Sequence, residues 1–159
     1  MNNVIWLTGN SQSGKSTLAK AVKANMPCVV LDGDEMRDTI SLGLGFSKVD
    51  RTENNRRIAS LAALLAGQGH MVVVSVVAPF ADLRAMVDGL CRPYWVHVRR
   101  TVSLDYESPY EDPESPQLTI DNDRLTPAEA SRKLLEFIRD TKFEEPWTHG
   151  VSSLNHNNA

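Results

Sequence analysis

Residues 9–16 read Gly9-Asn10-Ser11-Gln12-Ser13-Gly14-Lys15-Ser16 and satisfy G-x-x-x-x-G-K-[ST] at every specified position. Such a segment constrains its surroundings. Its glycines let backbone N–H groups turn inward around phosphate oxygens, so a buried strand must deliver the loop and a helix must leave it. Both flanks are present. Residues 4–8 form an apolar run that ends at a glycine. Residues 16–24 then place Leu18, Ala21 and Val22 on one helical face. In this setting Lys15 reaches the β- and γ-phosphates of ATP, the Ser16 hydroxyl ligates Mg²⁺, and residues 9–17, through Thr17, cradle the nucleotide.

The rest of the chain supplies more strands and helices in alternation. Residues 28–31 read as a second strand, ended by Asp32-Gly33-Asp34, with a helix expected from Asp34 and capped by its carboxylate. Residues 41–46 hold two glycines and read as a loop. Asp50 and Glu53 have the spacing of a capping box. The helix they open carries Ile58, Leu61, Ala62 and Leu65 as its buried stripe and ends near Gly67 and Gly69. Extended backwards, that stripe reaches Asn54 and Arg51, so the core-facing side turns polar at its first turn. Residues 71–77 are a valine-rich strand, 81–90 a helix and 94–98 a strand. Residues 101–123 hold seven acids, no bases and three prolines, with a strand-like stretch at 117–120. Thr126-Pro127-Ala128-Glu129 combines a capping box with proline at the first helical position, and its helix carries Ala130, Leu134, Phe137 and Ile138 on one face. Residues 1–141 thus form one α/β domain and 142–159 a polar tail.

The alternation argues for a parallel sheet covered by helices on both faces. In such sheets ligands bind at the carboxyl ends of the strands. The loops at 9–16, 32–34, 77–81 and 99–116 are therefore expected at one end of the molecule.

Composition narrows the remaining choices. The net charge of −3 gives no general attraction to nucleic acid or an anionic membrane, and the longest mainly apolar run, 71–79, is far shorter than a span of ~20 residues. Two cysteines, Cys28 and Cys91, make neither a disulfide framework nor a metal cluster, and Cys28 reads as a small core residue. His70, His97, His149 and His156 lack ligand spacing and read as structural or solvated. A cytoplasmic protein without membrane contact is the expectation.

Asp32 and Asp34 lie at the end of the second strand, beside the phosphate loop in this architecture. A carboxylate there accepts the proton of an attacking hydroxyl or holds Mg²⁺ through water. At these residues a resemblance emerges. Leu31-Asp32-Gly33-Asp34 with Arg37, then Gly43-Leu44-Gly45-Phe46-Ser47, then Asp50-Arg51-Thr52-Glu53-Asn54-Asn55-Arg56-Arg57, resemble the L-D-G-D-x-x-R, L-G-F-S and D-R-x-E-N-I-R-R patterns of the adenylylsulfate (APS) kinase family. The match runs in order from residue 4 to about 98. It implies a three-layer P-loop kinase with a parallel five-stranded sheet in 2-3-1-4-5 order, and transfer of the ATP γ-phosphoryl group to a hydroxyl of a nucleotide-like acceptor. It further implies that Asp34 is the catalytic base, that Arg37, Arg51 and Asn54 hold the acceptor's anionic groups, and that Phe46 stacks on its base. Asp32 is a candidate for the metal shell. The residues themselves agree in part: Arg51 and Asn54 lie three apart on one helical face, and Arg51 opposes the dipole preference at a helix N-terminus. Arg56 and Arg57 read equally well as a solvated basic helix start.

Two departures from the family pattern shape the expectations. Val77-Ala78-Pro79-Phe80 stands where the family carries I-S-P-Y, so a serine hydroxyl is missing. The basic K-G-L-Y-K-x-A-R lid is absent: Val98-Arg99-Arg100 leads almost directly to Ser108-Pro109-Tyr110-Glu111-Asp112-Pro113. Lids exclude water and sandwich small substrates. Without one, either ATP hydrolysis competes or the acceptor itself closes the site. One alternative acceptor is therefore a 5-hydroxymethyl pyrimidine, such as 5-hydroxymethyluracil, in phage DNA, flipped into an open pocket. The acidic stretch 105–114 opposes a phosphate backbone. A second alternative is an ATP-binding module that has lost catalysis. Arg99 or Arg100 is a candidate for neutralising the transferring charge, and a homodimer is left open.

Overall fold

The computed structural model describes residues 3–104, 106 and 108–143. Its ten elements are β1 (Val4–Thr8), α1 (Lys15–Asn25), β2 (Val29–Asp32), α2 (Gly33–Arg37), α3 (Lys48–Gly67), β3 (Val72–Ser75), α4 (Ala81–Cys91), β4 (Tyr94–Arg99), β5 (Leu118–Asp121) and α5 (Pro127–Asp140), with strands and helices alternating except at α2–α3 and β4–β5. The five strands form one parallel sheet in the order β2-β3-β1-β4-β5. This is the expected architecture, with the phosphate-loop strand at its centre.

Every residue of β1 is buried, as a strand covered on both faces requires. Its period of two divides the core. Val4 and Trp6 join Val72, Val74, Ile58, Ala62, Leu83 and Val87 beneath α3 and α4. Ile5 and Leu7 join Val73, Val96, Val98, Leu18, Val22, Leu134 and Ile138 beneath α1 and α5. Trp6 packs on Trp95 with ring centroids 5.4 Å apart, and its indole N–H donates to the Val76 carbonyl at 3.3 Å.

Several boundaries differ from expectation, each for a local reason. The cap of α2 is Asp32, not Asp34: an Asp32 carboxylate oxygen accepts the Asp34 N–H at 3.1 Å. Helix α3 starts at Lys48, ahead of the expected Asp50, because Ser47 is its N-cap and its hydroxyl accepts the Asp50 N–H at 3.1 Å. The Asp50 carboxylate instead accepts the Gly45 N–H at 2.9 Å and fixes the preceding loop. Leu61 and Leu65 are only partly buried, whereas Ile58, Ala59 and Ala62 are fully so. Strand β3 stops at Ser75, and the chain leaves the sheet through Ala78, which holds a left-handed φ of 48°. Helix α5 begins as its sequence dictates, with the Thr126 hydroxyl accepting the Glu129 N–H at 3.2 Å. Cys28 is half-buried and Cys91 fully buried. At the start of the expected tail, Phe143 packs edge-on against Tyr94 at 5.3 Å; residues 144–159, with His149 and His156, lie outside the described residues. No helix among the described residues is long and apolar enough to cross a membrane.

Candidate active site

The carboxyl ends of β1, β2 and β3 open onto a cleft of about 800 Å³. Residues 11–17 line one part of it, Asp32 to Asp34 and Arg37 another, and Phe46, Arg51 and Asn54 a third. The structure therefore gathers most of the residues singled out from the sequence into one place, while Gly9, Asn10 and Arg99 lie outside its lining.

The phosphate loop is shaped by two close approaches. A Cβ at Gly9 would fall 2.1 Å from the Val98 carbonyl oxygen, so no side chain fits where the loop leaves β1 beside β4. Gly14 has φ 105°, and a Cβ there would sit 2.6 Å from the Asn122 amide nitrogen. That amide donates to the Ser13 carbonyl at 2.7 Å and ties the loop to the end of β5. Lys15 opens α1 with its ammonium folded back under the loop, donating to the Gly9 carbonyl at 2.8 Å and the Asn10 carbonyl at 2.7 Å. Burial pushes its pKa down to about 8, partly opposed by the carboxylates of Asp32 and Asp34.

The Ser16 hydroxyl donates to Asp32 at 2.8 Å. A hydroxyl and a carboxylate meeting at the phosphate end of the cleft are hard oxygen ligands of the kind Mg²⁺ takes alongside phosphate oxygens. Among the described residues no group of three or more His, Cys, Asp or Glu forms a metal cage. That fits an ion bound mainly through nucleotide and water, and the buried Ser75 hydroxyl, which lines the cleft without a partner, offers a further oxygen there. Asp34 lines the cleft with an exposed side chain, just beyond the cap.

On the acceptor side the guanidinium of Arg37 stands over the Phe46 ring at 4.2 Å and that of Arg51 at 5.4 Å. Arg37 also donates to the carbonyls of Leu44 at 3.2 Å and Gly45 at 2.8 Å, and Arg51 donates to the Phe46 carbonyl at 2.8 Å. The ring itself is 68% exposed, held open to a partner by basic side chains tied to backbone. Asn54 and Asn55 are both buried at the cleft, each with a side-chain oxygen that has no partner. Arg56 and Arg57 both pair with Glu53 at 2.8 Å, and neither lines the cleft. Of the two arginines at the end of β4, Arg100 lines the cleft, whereas Arg99 turns toward Asp121 at 3.4 Å.

The segment after β4 brings residues that the sequence did not single out for the site. The Tyr106 hydroxyl lies 3.0 Å from that of Ser11, the Ser108 hydroxyl donates to the Asn10 side chain at 3.0 Å, and the Tyr110 hydroxyl lies 3.0 Å from that of Thr8. The spacing Tyr106-x-Ser108-x-Tyr110 is the one signal that marks them in advance. His97 is structural, as its isolation in sequence suggested: it is buried, stacks on Tyr110 with centroids 5.8 Å apart, and has its pKa lowered by burial. Loop 77–81 is braced from the same segment, for the Pro79 carbonyl accepts the Glu111 N–H at 2.8 Å and the Glu111 carboxylate accepts the Ala81 N–H at 2.9 Å. The buried Arg84 donates to the carbonyl of the strained Ala78 at 2.8 Å.

A parallel 2-3-1-4-5 sheet with a lysine-bearing phosphate loop on its central strand and a carboxylate pair on the neighbouring loop defines a P-loop kinase, an ATP- and Mg²⁺-dependent phosphotransferase acting on a hydroxyl group. Residues 1–106 match the adenylylsulphate kinase family. The chain is 36% identical to the adenylyl-sulfate kinase of Myxococcus xanthus, over 86% of this chain and 90% of that protein. It superposes on the Mycobacterium tuberculosis APS kinase CysC Cys556Ala mutant with TM-score 0.71 at 32% identity, covering 86% of this chain and 96% of that one. The same enzyme in complex with AMPPNP and APS gives TM-score 0.75 at 28% identity, again over 86% and 96% of the two chains. The chain belongs to the adenylylsulphate kinase family. A kinase of hydroxymethylated bases in DNA and a non-catalytic ATP-binding module gain no support from these relatives.

Proposed function

We propose that this chain transfers the γ-phosphoryl group of ATP to a hydroxyl of adenylyl sulfate. The observation that carries the reading is the acceptor wall, where Phe46 stands exposed between Arg37, Arg51 and Asn54 on the same cleft as Lys15 and Asp34. A flat apolar ring flanked by guanidinium groups suits a purine that carries anionic substituents. Relatives at 36% identity that phosphorylate adenylyl sulfate lend the same support.

In the proposed reaction Lys15 leaves the loop carbonyls for the β- and γ-phosphate oxygens, and the inward-facing loop amides hold the remaining phosphate charge. Ser16 and Asp32 would hold Mg²⁺, which neutralises charge on the transferring group. Asp34 accepts the acceptor's hydroxyl proton as that oxygen attacks the γ-phosphorus in line and ADP leaves. Arg37, Arg51 and Asn54 orient the acceptor, and Arg100 stands beside the phosphate groups.

The test is transfer of labelled γ-phosphate from ATP to adenylyl sulfate, with 5-hydroxymethyluracil-containing DNA as a parallel acceptor. Label in the adenylyl sulfate product is expected. Label in DNA alone would overturn the assignment of the acceptor, and label in neither despite tight ATP binding would overturn the kinase reading.

A further inference from the structure

The family's basic lid is missing, and the segment that follows β4 is acidic. A run of carboxylates cannot approach a triphosphate favourably, yet this segment lies against the phosphate loop. The side chains in contact explain how. From Tyr106 to Asp112 every second residue turns toward the site: Tyr106 to Ser11, Ser108 to Asn10, Tyr110 to Thr8, and Asp112 to His97 at 3.7 Å. The partners on β1 and the loop run 11, 10, 8, so these contacts form a strap that runs antiparallel to them. The three positions facing the loop and β1 carry neutral hydroxyls.

The strap is anchored at its far end. Tyr110 is half-buried against His97 and Arg84, and Glu111 is hydrogen-bonded to Pro79 and Ala81 of loop 77–81. Its near end reaches the tip of the phosphate loop, where Gln12 already holds a left-handed φ of 62° and the Asn10 side chain accepts the Ser11 N–H at 2.9 Å. Tyr106 also lines the same cleft as Phe46, Arg37 and Asp34.

We propose that Tyr106 is a positioning residue for ATP: its hydroxyl, hydrogen-bonded to Ser11, fixes the tip of the phosphate loop, and its ring walls the cleft against water in place of the missing lid. The anchored strap sets the tip's conformation before nucleotide arrives, so less ordering remains to be done on binding. Because the ring adds no charge, it closes the cleft beside the phosphates without opposing or neutralising them. The proposal rests on the kinase reading but not on the identity of the acceptor.

The experiment is a double-mutant cycle on Mg-ATP affinity, measured by calorimetry on the full chain, with acceptor-free ATP hydrolysis as the second readout. Tyr106→Phe and Ser11→Ala should each weaken ATP by roughly 3- to 10-fold, the range of one hydrogen bond, and the double variant should be no weaker than the weaker single. Tyr106→Ala should raise acceptor-free hydrolysis, in which water rather than the substrate hydroxyl attacks the γ-phosphorus and ADP and phosphate are released. At saturating ATP, Tyr106→Phe, which keeps the ring, should hydrolyse ATP more slowly than Tyr106→Ala, a split between ring and hydroxyl that a purely structural role would not produce. Additive effects in the cycle would overturn the hydrogen-bonded role, and hydrolysis unchanged in Tyr106→Ala would overturn the wall. Neither readout needs an acceptor, so failure of transfer to adenylyl sulfate leaves this test intact, and failure here leaves that transfer intact.

Discussion

Lys15 gives ATP binding a pH dependence that can be worked out in both sign and size. Burial holds its pKa at about 8 rather than 10.5, because the ammonium is surrounded by loop backbone rather than water. Bound triphosphate supplies negative charge at the same point and restores the pKa toward or above its ordinary value. Only the charged form serves the phosphates. At pH 7 about nine-tenths of empty molecules carry that charge, and at pH 9 about one-tenth, so ATP affinity should fall by about tenfold between them. Binding at pH 9 should then take up close to one proton, visible as a heat that changes with the ionisation enthalpy of the buffer. The stability of the empty protein moves the other way. Between pH 8 and 10.5 the unfolded chain holds a proton on Lys15 that the folded chain has released. Stability therefore rises with pH across that window, by at most roughly 3 kcal/mol, before other groups are counted. Calorimetric ATP titrations at pH 7, 8 and 9, paired with denaturant melts of the empty protein, read both trends. A flat affinity with no proton uptake would refute the argument, since it would mean that Lys15 is fully charged in the empty loop at pH 9.

Other perturbations address the remaining parts of the site. Asp34→Asn keeps the side-chain shape but cannot accept a proton; kcat should fall by about 10²–10⁴-fold while ATP affinity is unchanged, and an unchanged transfer rate would reject Asp34 as the base. Phe46→Ala should raise the KM for adenylyl sulfate by about tenfold, the range of one base–aromatic stack, without altering the Kd for ATP. Gly9→Ala places a methyl group on the Val98 carbonyl and the Ser13 hydroxyl; ATP binding should be lost, and retention of wild-type affinity would mean that the β1–β4 contact yields easily.

What was legible in the sequence depended on local chemistry. The phosphate loop is a contiguous signal whose glycines and lysine act on neighbouring backbone, so its context and fold could be read from eight residues. Helix α5 was readable for the same reason, since Thr126, Pro127 and Glu129 satisfy its first turn from within. The errors at α2 and α3 came from competing caps. Asp32 and Asp34 both suit the N-cap position, as do Ser47 and Asp50, and only the direction in which the chain enters each helix decides between them. The strap was illegible for a different reason. Its identity as an extended brace rests on partners up to 102 residues away, as between Tyr110 and Thr8, and its composition alone suggests a solvated acidic loop. Burial of Asn54 and Asn55 was only half visible: the apolar stripe of α3 pointed back to Asn54, and nothing local marked Asn55.

The acceptor wall also shows why a ring can be left so exposed beside two cations. Guanidinium contacts with an exposed ring are worth about 0.5–1 kcal/mol, whereas a base stacked on such a ring contributes about 1–3 kcal/mol. A purine that displaces one guanidinium from Phe46 therefore gains more than the protein loses. The two arginines are not equally free to yield. Arg37 stands closer to the ring and is held by two loop carbonyls, while Arg51 stands 5.4 Å away and is held by one. On the proposed reading, Arg51 is therefore the cation that would yield, and it would stay at the head of α3 within reach of the acceptor's anionic groups. On the proposed reading, stacking on Phe46 alone would then supply the affinity that the missing lid does not, and excluding water would fall to the other wall of the cleft, where Tyr106 stands.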